Sequence, residues 1–168
     1  YGKDKTFVVP ILTNMAIAGL VPWKKVAALP FEAAVVPQSM YRFVGMPVVS
    51  YAVPALVAIG QVKFLEGGGC LPRWSLVRRA AIEPSMKVLR SMQPSSGGYL
   101  EATPLTAFVV MSLSASGRAD HEVTQNGLRF LRDSMLPDGS WPIDTNLANW
   151  ATSLATSALA MDPDDDRS

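Results

Sequence analysis

The chain contains few of the residue types that define several common classes of protein. It contains one cysteine, Cys70, and one histidine in 168 residues. A single cysteine excludes an internal disulfide framework and a multi-cysteine metal site, and it favours a reducing, intracellular compartment. Charged residues make up 17% of the chain, against a globular average of about 25%. Because the formal net charge is +1 and no lysine or arginine run exceeds two residues, the sequence lacks the basic footprint of a nucleic-acid binder.

Long uninterrupted apolar runs are also missing, although 49% of the residues are hydrophobic. The longest runs, residues 7–12 and 48–60, contain proline or serine and fall short of the roughly 20 residues that span a bilayer. We therefore predict no transmembrane helix. The apolar composition instead predicts that much of the surface meets protein or lipid. Since the chain begins at Tyr1 and stops at Ser168 just after an acidic turn, we expect a fragment of a longer protein.

Proline and glycine suggest two regions, 1–72 and 73–168. The first is broken by seven prolines, which predicts short helices joined by kinks. Three glycines at 67–69 and Pro72 predict a linker between the regions. In the second region, apolar residues recur at helical spacing. We predict helices near residues 76–93, 103–116, 122–135 and 147–160, with no central sheet.

The second region contains an internal repeat. Aligning Gly97-Gly98-Tyr99 with Gly139-Ser140-Trp141 gives an offset of 42 residues without gaps. Each copy is predicted to be a helix, a glycine turn with an aromatic residue, and a second helix. Because one helical pair cannot bury its apolar faces alone, neighbouring pairs are expected to stack. A repeat of this length is also typical of HEAT or armadillo arrays, so the length alone leaves the fold open.

The turns resemble the QW repeat of triterpene cyclases, in which a helix ending in aromatic-Leu is followed by glutamine and Gly-x-Trp. The residues that carry the resemblance are Gln93, Gly97 and Tyr99 in the first copy, and Met135, Gly139 and Trp141 in the second. The first copy departs by having Tyr99 for tryptophan, and the second by having Met135 for glutamine. An indole packed on a glutamine amide can close the gap between repeats. We therefore interpret these residues as structural, and expect Trp141→Ala to destabilise a buried site by roughly 3–5 kcal/mol.

The first region carries a second resemblance. Val21–Glu32, followed by Met46 and Val53–Leu56, is similar to a stretch of squalene–hopene cyclases that precedes their central QW repeats. The tryptophan that lines the cavity in that family has no aromatic counterpart near Pro47 and Val48. Together the two resemblances cover nearly the whole chain. They imply an all-α fold, a partial α/α toroid of stacked helical hairpins.

The resemblance also implies an activity. A class II cyclase protonates a linear, squalene-like isoprenoid and cyclises it without a metal or organic cofactor, in the family's case for hopanoid biosynthesis. It implies peripheral contact with the inner face of a membrane as well. Because the helices that follow the turns face the hydrocarbon cavity in this family, the expected substrate-cavity residues are Trp150, Phe108, Glu101, Thr103 and Pro104. An indole face stabilises a developing cation, whereas core packing of Trp150 and Phe108, and capping by Thr103, remain open alternatives.

The family's catalytic acid belongs to an Asp-x-Asp-Asp motif, which Asp162, Asp164 and Asp165 match literally. Pro163 interrupts the tract and Asp166-Arg167 follows it where the family has Thr-Ala. We therefore interpret the tract as a solvated loop that caps the next helix, and expect the acid beyond Ser168. His121, the single histidine, is expected on a solvated loop at a helix start.

Two other hypotheses remain. A non-catalytic α/α-toroid module would use the same hairpins to bind a lipid or a protein, and the degenerate turns favour it. A protein prenyltransferase shares the toroid but needs zinc held by Asp, Cys and His, which one cysteine and one distant histidine do not provide. We predict no metal site in this chain.

Overall fold

The computed structural model describes residues 8–36, 52–68 and 72–143, together with residues 152 and 155–157. In these ranges the chain is mostly helical and has no β-strand, which confirms the predicted all-α class. The α-helices are α1 (Val8–Ile17), α2 (Val53–Gly67), α3 (Pro72–Met92), α4 (Thr103–Leu113) and α5 (Glu122–Asp133). Shorter 3₁₀ turns lie at Trp23–Lys25, Phe31–Val35 and Tyr99–Glu101, and a π-helical turn at Ser114–Arg118.

Prolines open two of the helices. Pro54 lies in the first turn of α2 and Pro72 begins α3, positions where the missing N–H leaves no intrahelical hydrogen bond unmade. We expected Pro72 in a linker, but the proline extends the predicted helix 76–93 by about one turn towards its N-terminus. Gly68 ends α2 with φ of 57°, a conformation that glycine adopts without strain.

The helices predicted near residues 103–116 and 122–135 are also present, as α4 and α5. α4 stops at Leu113, earlier than expected, because the chain turns at Gly117, where φ is 77°. His121 does not sit on a solvated loop: it is half-buried and caps α5, since its Nδ1 accepts a hydrogen bond from the Val123 N–H at 3.2 Å. Most of the predicted helix 147–160 lies outside the described residues, although residues 152 and 155–157 are helical.

The main core is built where α2, α3, α4 and α5 meet. Its fully buried members are Val57, Ala58, Met86, Leu89, Tyr99, Val109, Leu113 and Val123. The expected apolar face of α3 therefore does point inwards, and α2 packs against α4, which packs against α5. Side chains from both sides of the predicted boundary at residue 72 contribute to this one core. The core supports the glycine turn that joins α3 to α4.

Candidate functional site

The two glycine turns, residues 93–101 and 135–143, share several internal hydrogen bonds, although the bond from the Leu136 N–H to the Ser140 carbonyl has no counterpart at Pro94, which has no N–H. In the first turn the Gly97 N–H donates to the Pro94 carbonyl at 2.9 Å, and in the second the Gly139 N–H donates to the Leu136 carbonyl at 2.9 Å. Gly97 and Gly139 have φ of 89° and 82°, which explains glycine at both positions. Residues that are 42 positions apart therefore have equivalent backbone geometry in the two turns, as the repeat predicts.

The aromatic residues of the two turns make equivalent bonds as well. The Tyr99 hydroxyl donates to the Leu89 carbonyl at 2.9 Å, and the Trp141 Nε1–H donates to the Leu131 carbonyl at 2.6 Å. Both acceptors lie in the helix that precedes the turn, again 42 residues apart. Each aromatic side chain therefore folds its turn back onto that helix.

A second side-chain bond also repeats. The Gly98 N–H donates to Ser96 Oγ at 3.2 Å, and the Ser140 N–H donates to Asp138 Oδ1 at 3.0 Å. The Ser140 hydroxyl donates to the same Asp138 oxygen at 2.7 Å. These bonds from the Ser140 side chain and backbone hold the pKa of the Asp138 carboxyl below its usual value.

Gln93 ties the first turn to α5. Its Nε2 donates to the Gly97 carbonyl at 3.0 Å and to the Val123 carbonyl at 2.9 Å, and its Oε1 accepts from Asn126 Nδ2 at 3.4 Å. Val123 and Asn126 belong to the first turns of α5. One amide therefore joins the end of α3, the glycine turn and the start of the next repeat.

Close approach of α5 explains the glycines on this side of the first turn. A Cβ added at Gly97 would overlap the Asn126 carbonyl, and one added at Gly98 would overlap the Phe130 ring. Gly127 of α5 faces α4, where an added Cβ would lie 2.7 Å from Val110 Cγ2. Tyr99, only 2% exposed, is enclosed beneath these contacts. Burial raises the pKa of its hydroxyl well above the ordinary value.

The second turn is open by comparison. Trp141 and Met135 are each 50% exposed and Leu136 is 45% exposed. An added Cβ at Gly139 would meet nothing within 4 Å. The loss of stability expected for Trp141→Ala assumed a buried side chain. Half of this side chain remains in contact with solvent, so that assumption does not hold.

The expected cavity residues Glu101, Thr103, Pro104 and Phe108 cluster at the start of α4. Thr103 is buried, and its hydroxyl donates to the carbonyls of Pro142 and Ile143. It does not cap α4, whose N-cap position is Ala102 and which has no side-chain cap hydrogen bond. Pro104 is exposed in the first turn of the helix, and Phe108 is half-buried one turn further on.

Glu101 lies in an uncommon backbone conformation beside these residues. Leu100 and Glu101 have φ of 54° and 55°, a left-handed conformation that costs a residue with a side chain roughly 1–2 kcal/mol. Glu101 Oε1 accepts a hydrogen bond from the Ser96 hydroxyl at 2.5 Å. The left-handed pair turns Leu100 outward, where it is 61% exposed, and Ile143 nearby is 76% exposed.

Several expected site residues lie outside the described residues. They are Trp150, Asp162, Asp164 and Asp165. The interpretation of the acidic tract as a loop and the placement of Trp150 beside the cavity therefore stay predictions. In the part of the chain that the structure describes, no cluster of three or more His, Cys, Asp or Glu side chains has a metal-binding arrangement.

One buried charged group was missed by the sequence analysis. Arg78 of α3 is 8% exposed, and its Nε donates to Glu32 Oε2 at 3.1 Å. Its guanidinium lies 4.9 Å from the centre of the Phe31 ring and 5.3 Å from that of Phe64, within the range of a cation–π contact. It also donates to the Leu29 carbonyl. The cluster fixes the Leu29–Glu32 segment on α2 and α3.

The signal for this cluster was the Pro30-Phe31-Glu32 sequence. This sequence is part of the resemblance in the first region, but nothing in the pattern of α3 distinguishes Arg78 from its exposed neighbour Arg79. Gly60 also contributes, since an added Cβ would lie 2.9 Å from Phe31 Cβ and 3.0 Å from the Leu29 carbonyl oxygen. The cluster is structural: each polar contact of Arg78 joins one part of the fold to another.

Comparison with protein-family models, curated proteins and solved structures finds no match to this chain.

Proposed function

We propose that this chain is part of a squalene–hopene cyclase-like class II triterpene cyclase, and that its hairpins belong to an α/α toroid with QW-type turns. The observation that carries the proposal is the pair of glycine turns. Four hydrogen bonds recur between them at the 42-residue offset, including the backbone bond from Gln93 to Arg90 and its equivalent from Met135 to Arg132. The Gln93 amide joins the first turn to the following repeat. The QW resemblance implies a glutamine that closes the gap between repeats, and the bonds of Gln93 to α5 support this part of the proposal.

The start of α4 suits a hydrocarbon substrate. Leu100 and Ile143 present exposed apolar side chains there, and the Thr103 hydroxyl is already hydrogen-bonded to protein carbonyls. Phe108 lies one helical turn into α4 and offers an aromatic ring, which stabilises a developing carbocation through its quadrupole. In this proposal the residues at the start of α4 shape the cavity and do not transfer the initiating proton.

The initiating acid is proposed to lie elsewhere. Alkenes are weak bases, so protonation needs a carboxylic acid kept neutral and strongly acidic by its neighbours. In the described residues, the carboxylate of Glu32 is ion-paired with Arg78 and that of Glu122 with Arg90, while the Asp138 carboxyl is stabilised in its charged form. None of these three environments suits a proton donor to an alkene.

Cyclisation in D₂O tests the proposal. The full-length protein, dispersed in detergent, would be incubated with squalene, and the products separated and weighed by mass spectrometry. Addition of a solvent-derived deuteron to the terminal alkene, followed by loss of a proton from the final cation, yields a cyclic isomer that carries one deuterium. A cyclic product without deuterium would contradict a protonation-initiated reaction.

The same assay separates the enzyme from the non-catalytic module. Saturable binding of squalene without any cyclic product would replace the cyclase proposal with the binding module. Phe108→Leu keeps an apolar side chain but removes the ring, so we expect it to change product distribution while the fold is retained. Met111→Leu on the same helix is the matched control, because Met111 is 40% exposed and was not assigned to the cavity.

Peripheral membrane contact is part of this proposal, and α3 supplies the surface for it. Leu76 and Val77 on its outward side are 71% and 51% exposed, beside exposed Arg73. Further along, the outward side carries Glu83, Lys87 and Arg90. An apolar stripe next to cations suits an anionic lipid surface. No helix in the described ranges has both the length and the apolar character needed to cross a bilayer.

Flotation with liposomes would test this contact. We expect the chain to float with vesicles that contain anionic phospholipid, and Leu76→Glu to reduce the floating fraction. Ser91→Glu is the control, because it adds the same single negative charge at an exposed position near the other end of the helix. Equal flotation of the Leu76→Glu variant and the unaltered chain would rule this face out as the contact surface.

A further inference from the structure

The first glycine turn shows what covers a turn of this type. α5 crosses it so closely that Gly97 and Gly98 have no room for a side chain, against Asn126 and Phe130 respectively. At the edge of this contact the Gln93 amide donates to the Val123 carbonyl in the first turn of α5. The cover is therefore an amphipathic helix that begins over the position of Gln93 and places an aromatic ring over Gly98.

The second turn shares the backbone bond at its glycine and the bond of its aromatic side chain with the first, but it has no such cover among the described residues. Its exposed apolar side chains are Met135, Leu136 and Trp141. Met135 occupies the position of Gln93 and Trp141 that of Tyr99. Because Tyr99 is 2% exposed and Trp141 is 50% exposed, the difference between the turns is the missing cover and not the fold of the turn.

The repeat also continues beyond this turn. Residues 152 and 155–157 are helical, and at the 42-residue offset they correspond to residues 110 and 113–115, in α4 and the π-helical turn that follows it. The helix that would follow in a third copy is the equivalent of α5.

We propose that Met135, Leu136 and Trp141 form a docking surface for an amphipathic helix of the α5 type, supplied by a third copy of the repeat. This inference rests on the proposed stacking of hairpins. It continues an interface that the protein already uses between its first turn and α5.

Two sequence differences between the turns define how the docked helix differs from α5. Ser140 occupies the position of Gly98, and its hydroxyl is bound to Asp138, so the space taken by the Phe130 ring in the first turn is partly filled. The residue opposite Ser140 must therefore be smaller than phenylalanine. Met135 has no amide, so it cannot donate to the opening carbonyls of the helix as Gln93 does. The second interface is accordingly more apolar than the first.

Peptides in trans test the docking surface. The probe is a synthetic peptide of residues 119–134 that carries Phe130→Val, and the readout is the rate at which peroxide oxidises Met135, followed by mass spectrometry. At ten times the dissociation constant of the peptide, oxidation of Met135 should slow about tenfold. Met111, which is 40% exposed on α4, should oxidise at an unchanged rate.

The matched comparison exchanges the residue at position 140. The peptide with its natural Phe130 should protect Met135 poorly in the unaltered chain and well in the Ser140→Gly variant, which recreates the space beside Gly98. Trp141→Ala should weaken protection by either peptide. These three responses together would establish the surface and its preference for a small side chain.

Other outcomes would overturn the proposal. Met135 oxidation that is unaffected by both peptides in both chains would exclude an α5-type helix. Protection that increases with the concentration of the chain alone would identify a second copy of the chain as the occupant, and protection by vesicles alone would identify a lipid surface. Because no step uses squalene, failure here is distinguishable from failure of the cyclisation assay.

Discussion

The two glycine turns are nearly the same in their hydrogen bonds and opposite in their surroundings. Both use a left-handed glycine, a side-chain acceptor two residues before the donor N–H, and an aromatic hydrogen bond to the preceding helix. Among the residues that the structure describes, another helix covers only the first turn. The comparison shows that the shape of the turn is local, whereas its contribution to stability depends on what packs over it.

The largest difference is expected for the aromatic residues. Tyr99→Ala removes a buried ring and the hydrogen bond to Leu89, so we expect a loss of about 3–5 kcal/mol in the free energy of unfolding. Trp141→Ala should cost only about 1–2 kcal/mol, since half of the indole stays in solvent in the unaltered chain. Chemical denaturation followed by circular dichroism measures both values. Equal losses would mean that the second turn is as well covered as the first.

Glycine substitutions separate backbone strain from steric overlap. Gly97→Ala and Gly139→Ala both place a side chain at positive φ, which costs about 1–2 kcal/mol. At Gly97 the added Cβ also overlaps the Asn126 carbonyl, which should add about 1–3 kcal/mol. Gly139 has open space around it, so it serves as the control for strain alone. A Gly97→Ala loss no larger than that of Gly139→Ala would contradict the close approach of α5.

These glycines also show how far the sequence could predict the site. Repeat spacing located both turns and both aromatic residues, because a left-handed glycine and a hydrogen bond to the same helix are local features. It did not show that Tyr99 is buried and Trp141 half-exposed, since burial depends on α5. The burial of Arg78 was not predicted for the same reason. Its partner Glu32 lies 46 residues earlier in the chain, and no periodic pattern connects them.

Exchanging the residues at positions 93 and 135 tests the amide that joins the repeats. Gln93→Met places in the first turn the residue found in the second, and it leaves the Val123 carbonyl without its side-chain donor. We expect a loss of about 1–3 kcal/mol, the typical range for a buried polar group left unpaired. Met135→Gln changes a half-exposed side chain and should fall within about 0.5 kcal/mol of zero. A neutral Gln93→Met would show that the bond is replaced by water.

Alkaline pH should reduce the stability that the first turn contributes. Burial raises the pKa of Tyr99 above the unfolded value of about 10, so its contribution to stability is fully present below about pH 10. It is lost as the pH rises further, by up to about 1.4 kcal/mol per pH unit. Unfolding measured from pH 9 upwards should therefore show a steeper decline for the unaltered chain than for Tyr99→Phe. Parallel declines would mean that Tyr99 is not buried in solution.

The smallest expected effect is a loss of stability in the second turn at acid pH. The bonds from Ser140 lower the pKa of Asp138, so the contribution of the carboxylate is present above the unfolded value of about 4 and is lost as the pH falls through the lower, folded value. Asp138→Asn keeps an oxygen that accepts from the Ser140 N–H and hydroxyl but removes the titration. We therefore expect nearly unchanged stability at neutral pH and a slightly flatter acid limb. An equal acid slope in the unaltered chain and the Asp138→Asn variant would show that Ser140 does not hold the carboxylate in solution, and the hydrogen-bond equivalence of the two turns would then be limited to the glycine and aromatic bonds.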